Sequence, residues 1–161
     1  MSVNRPENIS STGIPIKKDA FVVIIRTEWN DAIVSALEFG SKKVLEGYQV
    51  AHEIFYVPGA FEISFAIKNH FENTKKKPDA YIALGCVLRG DTPHFEYVCQ
   101  AVTNGILQLN LSLPVPTIFG ILTVDNQIQA EERIGGKHGH KGEEAATTAL
   151  KMMALVDANN Q

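Results

Sequence analysis

Cysteine, excess positive charge and long apolar runs are all scarce in this 161-residue chain. Its two cysteines, Cys86 and Cys99, sit in apolar segments without metal-ligand spacing. They read as reduced core thiols of a cytoplasmic protein. Net charge is −3, with 15 basic against 18 acidic side chains, which argues against a nucleic-acid partner. The one basic run, Lys75 to Lys77, precedes Pro78 and reads as a solvated loop. Residues 1–18 are polar, contain Pro6 and Pro15, and lack the apolar core of a signal peptide. No later stretch is long and apolar enough for a membrane span. A glycine-rich run ending in Gly-Lys-Ser/Thr is also missing, which disfavours nucleoside triphosphate binding. Internal repeats and an interior linker are absent too.

What is present is a strand–helix alternation. Apolar runs at Ala20 to Ile25, Val50 to Val57, Ala80 to Leu88 and Val115 to Val124 predict four strands. Three are almost continuously apolar, as expected of a parallel sheet covered on both faces. His52 and Glu53 interrupt the second run and suggest an edge. Helical spacing fills the gaps: Ile33, Leu37, Val44 and Leu45, with Gly40 a weak point; Ile63, Ile67 and Phe71; and Phe95, Val98, Val102, Ile106 and Leu109. A short helix is expected near Asp125 and a last one from Glu143 to Val156. This order implies βαβ crossovers and a three-layer α/β sandwich. Ligands of open α/β sheets bind at the carboxyl edge, so the strand-to-helix junctions are where chemistry is sought.

Four junctions carry unusual residues. The first, Arg26 to Asn30, holds the only tryptophan, Trp29, either a stacking platform or a packing anchor. The second, Val57-Pro58-Gly59-Ala60-Phe61-Glu62, is a tight turn into a helix, where Glu62 can accept from hydroxyls or complement the helix dipole. The third, Leu88-Arg89-Gly90-Asp91-Thr92-Pro93-His94, offers free amides suited to phosphate, Thr92 as N-cap, Pro93 at the first helical position, and His94 for proton transfer. The carboxylate of Asp91 must point away from any anion there. The fourth runs from Phe119 to Asn126, with Thr123 or Asp125 expected to cap a helix leading to Arg133, a fork-shaped cation suited to phosphate. Residues 135–142 read as a flexible, donor-rich loop. His138 and His140 lack companions at metal-ligand spacing, so no metal is expected.

The segments VPGAFEIS (57–64), LGCVLRGDTPHFEYV (84–98), PTIFGILTVDNQIQAEER (116–133) and KGEEAA (141–146) together resemble the lumazine synthase family, from Trp29 through the last helix. The resemblance implies a flavodoxin-like α/β/α sandwich with a four-stranded parallel sheet of order 2-1-3-4. It implies one domain over 19–161 behind the polar segment 1–18. It also implies condensation of 5-amino-6-(D-ribitylamino)uracil with 3,4-dihydroxy-2-butanone 4-phosphate to 6,7-dimethyl-8-ribityllumazine, without a cofactor. By position, His94 matches the proton-transferring residue. Trp29 matches the aromatic that stacks on the pyrimidine, Ala60, Phe61 and Glu62 the ribityl-binding segment, and Cys86, Val87 and Leu88 the strand end that reads the ring edge. Asp91 and Thr92 match the phosphate loop. Phe119, Arg133 and Lys141 match residues reaching in from a neighbouring subunit, with Arg133 the main phosphate anchor.

Three positions depart from the pattern: Ser64 for a usual proline, Pro93 for a small hydroxyl residue, and Asp91 for a neutral residue or glutamate. The family assembles as pentamers, some joined into sixty-subunit shells, so a homo-pentamer is expected, with higher assembly and riboflavin synthase as further partners. A shell-forming protein of the same fold that only binds riboflavin or lumazine is the competing reading. It would need neither His94 nor Arg133.

Overall fold

A computed structural model describes Ser10 and residues 12–161. Much of the polar segment 1–18, Pro6 included, thus lies outside the described residues, while Ile14 and Ile16 pack on the core.

The sheet consists of β1 (Phe21–Thr27), β2 (Ala51–Val57), β3 (Ala80–Leu88) and β4 (Thr117–Val124), all parallel, in the order β2-β1-β3-β4. Central strand β1 is buried along its whole length, which explains its unbroken Phe-Val-Val-Ile-Ile run. β2 is an edge strand with a partly exposed alternation, as His52 and Glu53 suggested. β4 begins two residues later than its apolar run, after Pro116, which has no N–H to donate to a ladder.

Helices α1 (Asp31–Gly47), α2 (Ile63–Asn73), α3 (His94–Ser112), α4 (Gln127–Glu131) and α5 (Lys141–Asn159) complete the alternation, with a 3₁₀ turn at Ala60–Glu62 before α2. Two cores sandwich the sheet. On one face Leu37, Leu45, Ala146, Ala149 and Leu150 of α1 and α5 meet Val22, Ile24, Ile82 and Leu84. On the other, Ile63, Ile67, Val102, Ile106 and Leu109 of α2 and α3 meet Val23, Ile25, Tyr81 and Ala83. Alternate residues of each strand serve opposite cores, as the two-residue strand period requires. The three-layer reading therefore holds. Among the described residues no helix is long and apolar enough to cross a membrane.

The local differences lie at helix ends. α3 starts at His94, with Pro93 at its cap, one residue later than expected; Thr92 Oγ1 still accepts from the His94 N–H, at 3.4 Å. α4 is capped by Asn126, not Thr123 or Asp125: the Asn126 side chain accepts from the Gln129 N–H at 3.0 Å. It stops at Glu131, so Arg133 lies beyond it rather than along it. The expected flexible loop is instead a small antiparallel hairpin, β5 (Ile134–Gly136) and β6 (Gly139–His140). α1 passes through Gly40 unbroken, and α5 starts at Lys141.

α1 and α5 approach backbone to backbone at Gly142, where a Cβ would stand 2.1 Å from the Leu37 carbonyl oxygen. The buried Ser41 hydroxyl donates to the Gly142 carbonyl at 2.8 Å in the same contact. A backbone neighbour cannot rotate aside, so Gly142→Ala should force the helices apart and cost about 1–3 kcal/mol, as overpacking does. Denaturant unfolding of the variant should show a clearly lower midpoint. An unchanged midpoint would mean that the helices have slack here.

Candidate active site

All four strands being parallel, their carboxyl ends and the following turns share one edge. There the first two junctions run side by side. Beyond β1, the Glu28 N–H donates to the Val57 carbonyl at 2.8 Å and the Trp29 N–H to Pro58 at 3.1 Å, which extends the β1–β2 pairing into the turns. Trp29 is 68% exposed, so it is not a core anchor. Its ring edge lies over Gly59, where a Cβ would come within 2.6 Å of Cε3. Glycine at 59 is required by this approach, and the indole is left open to solvent at the site.

Asn30 turns the chain into α1 in the left-handed conformation (φ 59°), which asparagine tolerates better than most residues. Its carbonyl accepts from the Ile33 and Val34 N–H groups, and Nδ2 donates to the Cys86 carbonyl at 2.7 Å. One side chain thus ties the Trp29 turn to the end of β3. Sequence reading gave Asn30 no role. An asparagine directly between a strand and a helix is the signal that could have found it.

Arg26 secures the same turn from beneath. Only 3% exposed, its guanidinium binds Asp31, Glu38 (2.8 Å), Ser35 (3.1 Å) and the Thr27 carbonyl, and lies 5.1 Å from the centre of the Tyr56 ring. Every face of this buried charge therefore has a partner. The hydrogen bond from Arg26 holds the Asp31 carboxyl below its usual range. The first turns of α1 are in this way fixed to the end of β1.

At the second junction Glu62 Oε2 accepts from the Gly59 N–H at 3.0 Å. This bond closes the 3₁₀ turn that carries Ala60 and the exposed Phe61. At the departure Ser64, the hydroxyl stands 2.2 Å from where a Cβ on Gly105 would be, so it serves close packing of α2 against α3.

β3 ends at Cys86, Val87 and Leu88. Burial pushes the Cys86 thiol up to about 11, which leaves it neutral and a poor nucleophile at ordinary pH. Arg89, next in line, donates to Asp125 at 2.7 Å and to Glu96, and its guanidinium carbon lies 4.2 Å from the Phe95 ring centre. Both carboxyls are held below their usual range by these bonds. The cross-link joins the loop after β3 to the loop after β4, another role invisible in sequence. Within that frame Asp91, Thr92 and His94 are exposed at the start of α3.

Trp29, Ala60 to Glu62, Cys86 to Leu88, Asp91, Thr92 and His94 thus share the carboxyl edge of β1 to β3. Phe119 and Lys141 lie elsewhere, and Arg133 follows α4 beyond the end of β4. Phe119 pairs with Ala83 on the outermost strand, whereas Cys86 pairs with Leu122. That sets Phe119 three residues, about 10 Å, below the level of Cys86. It lines a ≈470 Å³ groove along β4 with Lys141, Glu144, Thr148 and Met152. Lys141 Nζ donates to both oxygens of Glu144 at 2.9 and 2.8 Å. Arg133 Nη1 donates to the Gln129 carbonyl at 2.6 Å.

Residues 19–157 match the family model described as 6,7-dimethyl-8-ribityllumazine synthase. Proteins named 6,7-dimethyl-8-ribityllumazine synthase are similar over most of their length. That of Porphyromonas gingivalis is 48% identical over 88% of this chain and 89% of its own. That of Parabacteroides distasonis is 47% identical over 87% and 88%, and that of Cytophaga hutchinsonii 46% over 92% and 95%.

Proposed function

We propose a division of labour among these residues on one premise: the chain belongs to the 6,7-dimethyl-8-ribityllumazine synthase family. It is a transferase that condenses 5-amino-6-(D-ribitylamino)uracil with 3,4-dihydroxy-2-butanone 4-phosphate, the penultimate step of riboflavin synthesis. We assign residues 19–161 to one domain of this family.

In this reading the pyrimidine stacks on the open indole of Trp29, and the backbone of Cys86, Val87 and Leu88 reads its edge. The ribityl hydroxyls lie along Ala60, Phe61 and Glu62. Oε2 of Glu62 is taken by Gly59, and Oε1 remains to accept from a hydroxyl. The sugar phosphate meets the amides around Asp91 and Thr92, with Arg133 as its cation. The amine adds to the ketone and loses water to form an imine. Phosphate is then eliminated, and ring closure releases a second water. His94 relays protons, and holding both substrates in register supplies much of the acceleration. The observation that carries the reading is the meeting of Trp29, the Glu62 turn, the end of β3 and His94 at one sheet edge.

Phe119, Arg133 and Lys141 complete the site of an adjacent subunit in a homo-pentamer. Both outer edges of the sheet carry exposed apolar groups, with Phe39 and Tyr56 beside β2 and Phe119, Met152 and Leu155 beside β4. Two different apolar edges on one subunit suit head-to-tail contacts, which close into a ring. Joining of pentamers into shells, and riboflavin synthase as a partner, extend the same proposal. The free thiols and the net charge of −3 fit a cytoplasmic enzyme that binds small molecules rather than nucleic acid. A ligand-binding shell protein would need neither His94 nor Arg133, so this reading is not favoured.

An assay with both substrates should give the lumazine product without added cofactor. Arg133→Ala should weaken the sugar phosphate by about 10–100-fold through lost charge-assisted bonds. Trp29→Ala should weaken the pyrimidine by about tenfold through lost stacking. Titrating each ligand separately, with inorganic phosphate standing in for the sugar phosphate, separates the two. If both variants lost the same ligand equally, the two-subsite map would be wrong.

A further inference from the structure

The hairpin of β5 and β6 carries Arg133 at its entrance and Lys141 at its exit, and one side chain seats it. The His140 imidazole lies against α1 at Gly40, where a Cβ would stand 2.2 Å from Cε1 and 2.5 Å from Nδ1. Only glycine admits the ring there, which explains a glycine in the interior of α1. The same Nδ1 accepts from the Glu143 N–H at 3.4 Å, so His140 also caps α5. Its backbone pairs with Ile134, and the adjacent Lys141 N–H donates to the Arg133 carbonyl at 2.8 Å. Both ends of the hairpin are therefore indexed to α1 and α5 through this residue.

We propose that His140 is a positioning residue for the reaction: seated on Gly40 and capping α5, it sets the places of Arg133 and Lys141. The inference rests on the ligand roles given to those two residues above. Capping needs an acceptor at the level of Nδ1, and asparagine offers one from a shorter side chain. His140→Asn should therefore keep the function that His140→Ala loses.

The test uses the assembled enzyme. In His140→Ala the Lys141 and His138 N–H groups, which close the hairpin, should exchange hydrogen at least about tenfold faster, as local opening becomes easier. KM for the sugar phosphate should rise about tenfold with kcat within twofold, and His140→Asn should restore both. Gly40→Ala should reproduce the defect by evicting the ring. In the His140→Ala background the same change should fill the vacated space and raise the melting temperature by roughly 2–4 °C. That reversal of sign distinguishes a seat from general damage to α1. Unchanged exchange in His140→Ala, or an asparagine variant as defective as alanine, would overturn the proposal. Faster exchange with an unchanged KM would leave His140 as the hairpin's anchor but overturn the ligand roles of Arg133 and Lys141.

Discussion

His94→Ala is expected to slow turnover by about 10²–10⁴-fold, the usual loss when a positioned acid or base is removed. KM values should stay close to those of the parent, because the His94 imidazole is exposed and, among the described residues, holds no other element by a hydrogen bond. Its structural engagement is one long bond from its own backbone N–H to Thr92 Oγ1, which alanine keeps. The imidazole is exposed at the first turn of α3, within the loop that Arg89 braces between Glu96 and Asp125. A stable, well-bound but slow enzyme is thus the expected phenotype. Steady-state assays at saturating substrate, with a melting curve as control, will read it. Parental turnover would remove His94 from the mechanism. A loss below about tenfold would mean that water carries the protons nearly as well, which would shift the burden of catalysis to substrate alignment.

The layers of this fold were legible in the sequence because burial on both faces of a parallel sheet leaves a plain mark. β1 and β3 read as uninterrupted apolar runs, and the edge position of β2 showed in His52 and Glu53. Helix ends were less legible. Thr123, Asp125 and Asn126 are all competent caps, and which one serves depends on a single residue's backbone angles rather than on composition. Residues 135–142 looked like a flexible loop because their glycines suit one. In the folded chain they form a hairpin whose His140 lies against Gly40, a partner 100 residues away in the sequence.

The candidate site divides in the same manner. Trp29, Glu62 and His94 stood out as candidates by residue type at strand ends, where α/β sheets bind ligands, and the family resemblance supplied their roles. Asn30, Arg26 and Arg89 were not, because their work consists of cross-links between junctions: Asn30 to Cys86, Arg26 to Glu38, Arg89 to Asp125. Such bonds depend on strand order, which only the folded chain displays. Gly59 similarly looked like a turn residue, yet the indole lying on it also demands the missing side chain.

Mixing two crippled enzymes should produce an active one. His94 and Arg133 are assigned to opposite sides of each subunit contact, so a ring of His94→Ala and Arg133→Ala subunits regains intact sites wherever the order is right. Each intact site needs an Arg133→Ala subunit on the His94 side and a His94→Ala subunit on the other. In random head-to-tail rings of equal parts that occurs at about a quarter of interfaces. Assayed with the sugar phosphate well below its KM, where both variants are slow, co-refolding should therefore return roughly a quarter of parental activity. The same proteins mixed without dissociation should return none, since subunits must exchange to create new contacts. The geometry motivating this is the register of β4: Phe119 sits opposite Ala83, well below the level of Cys86, in a groove facing outward from the sheet. Mass spectrometry of the refolded sample can verify that mixed rings have formed. Mixed rings without recovered activity would sink the shared-site arrangement and require His94 and Arg133 to act from one chain.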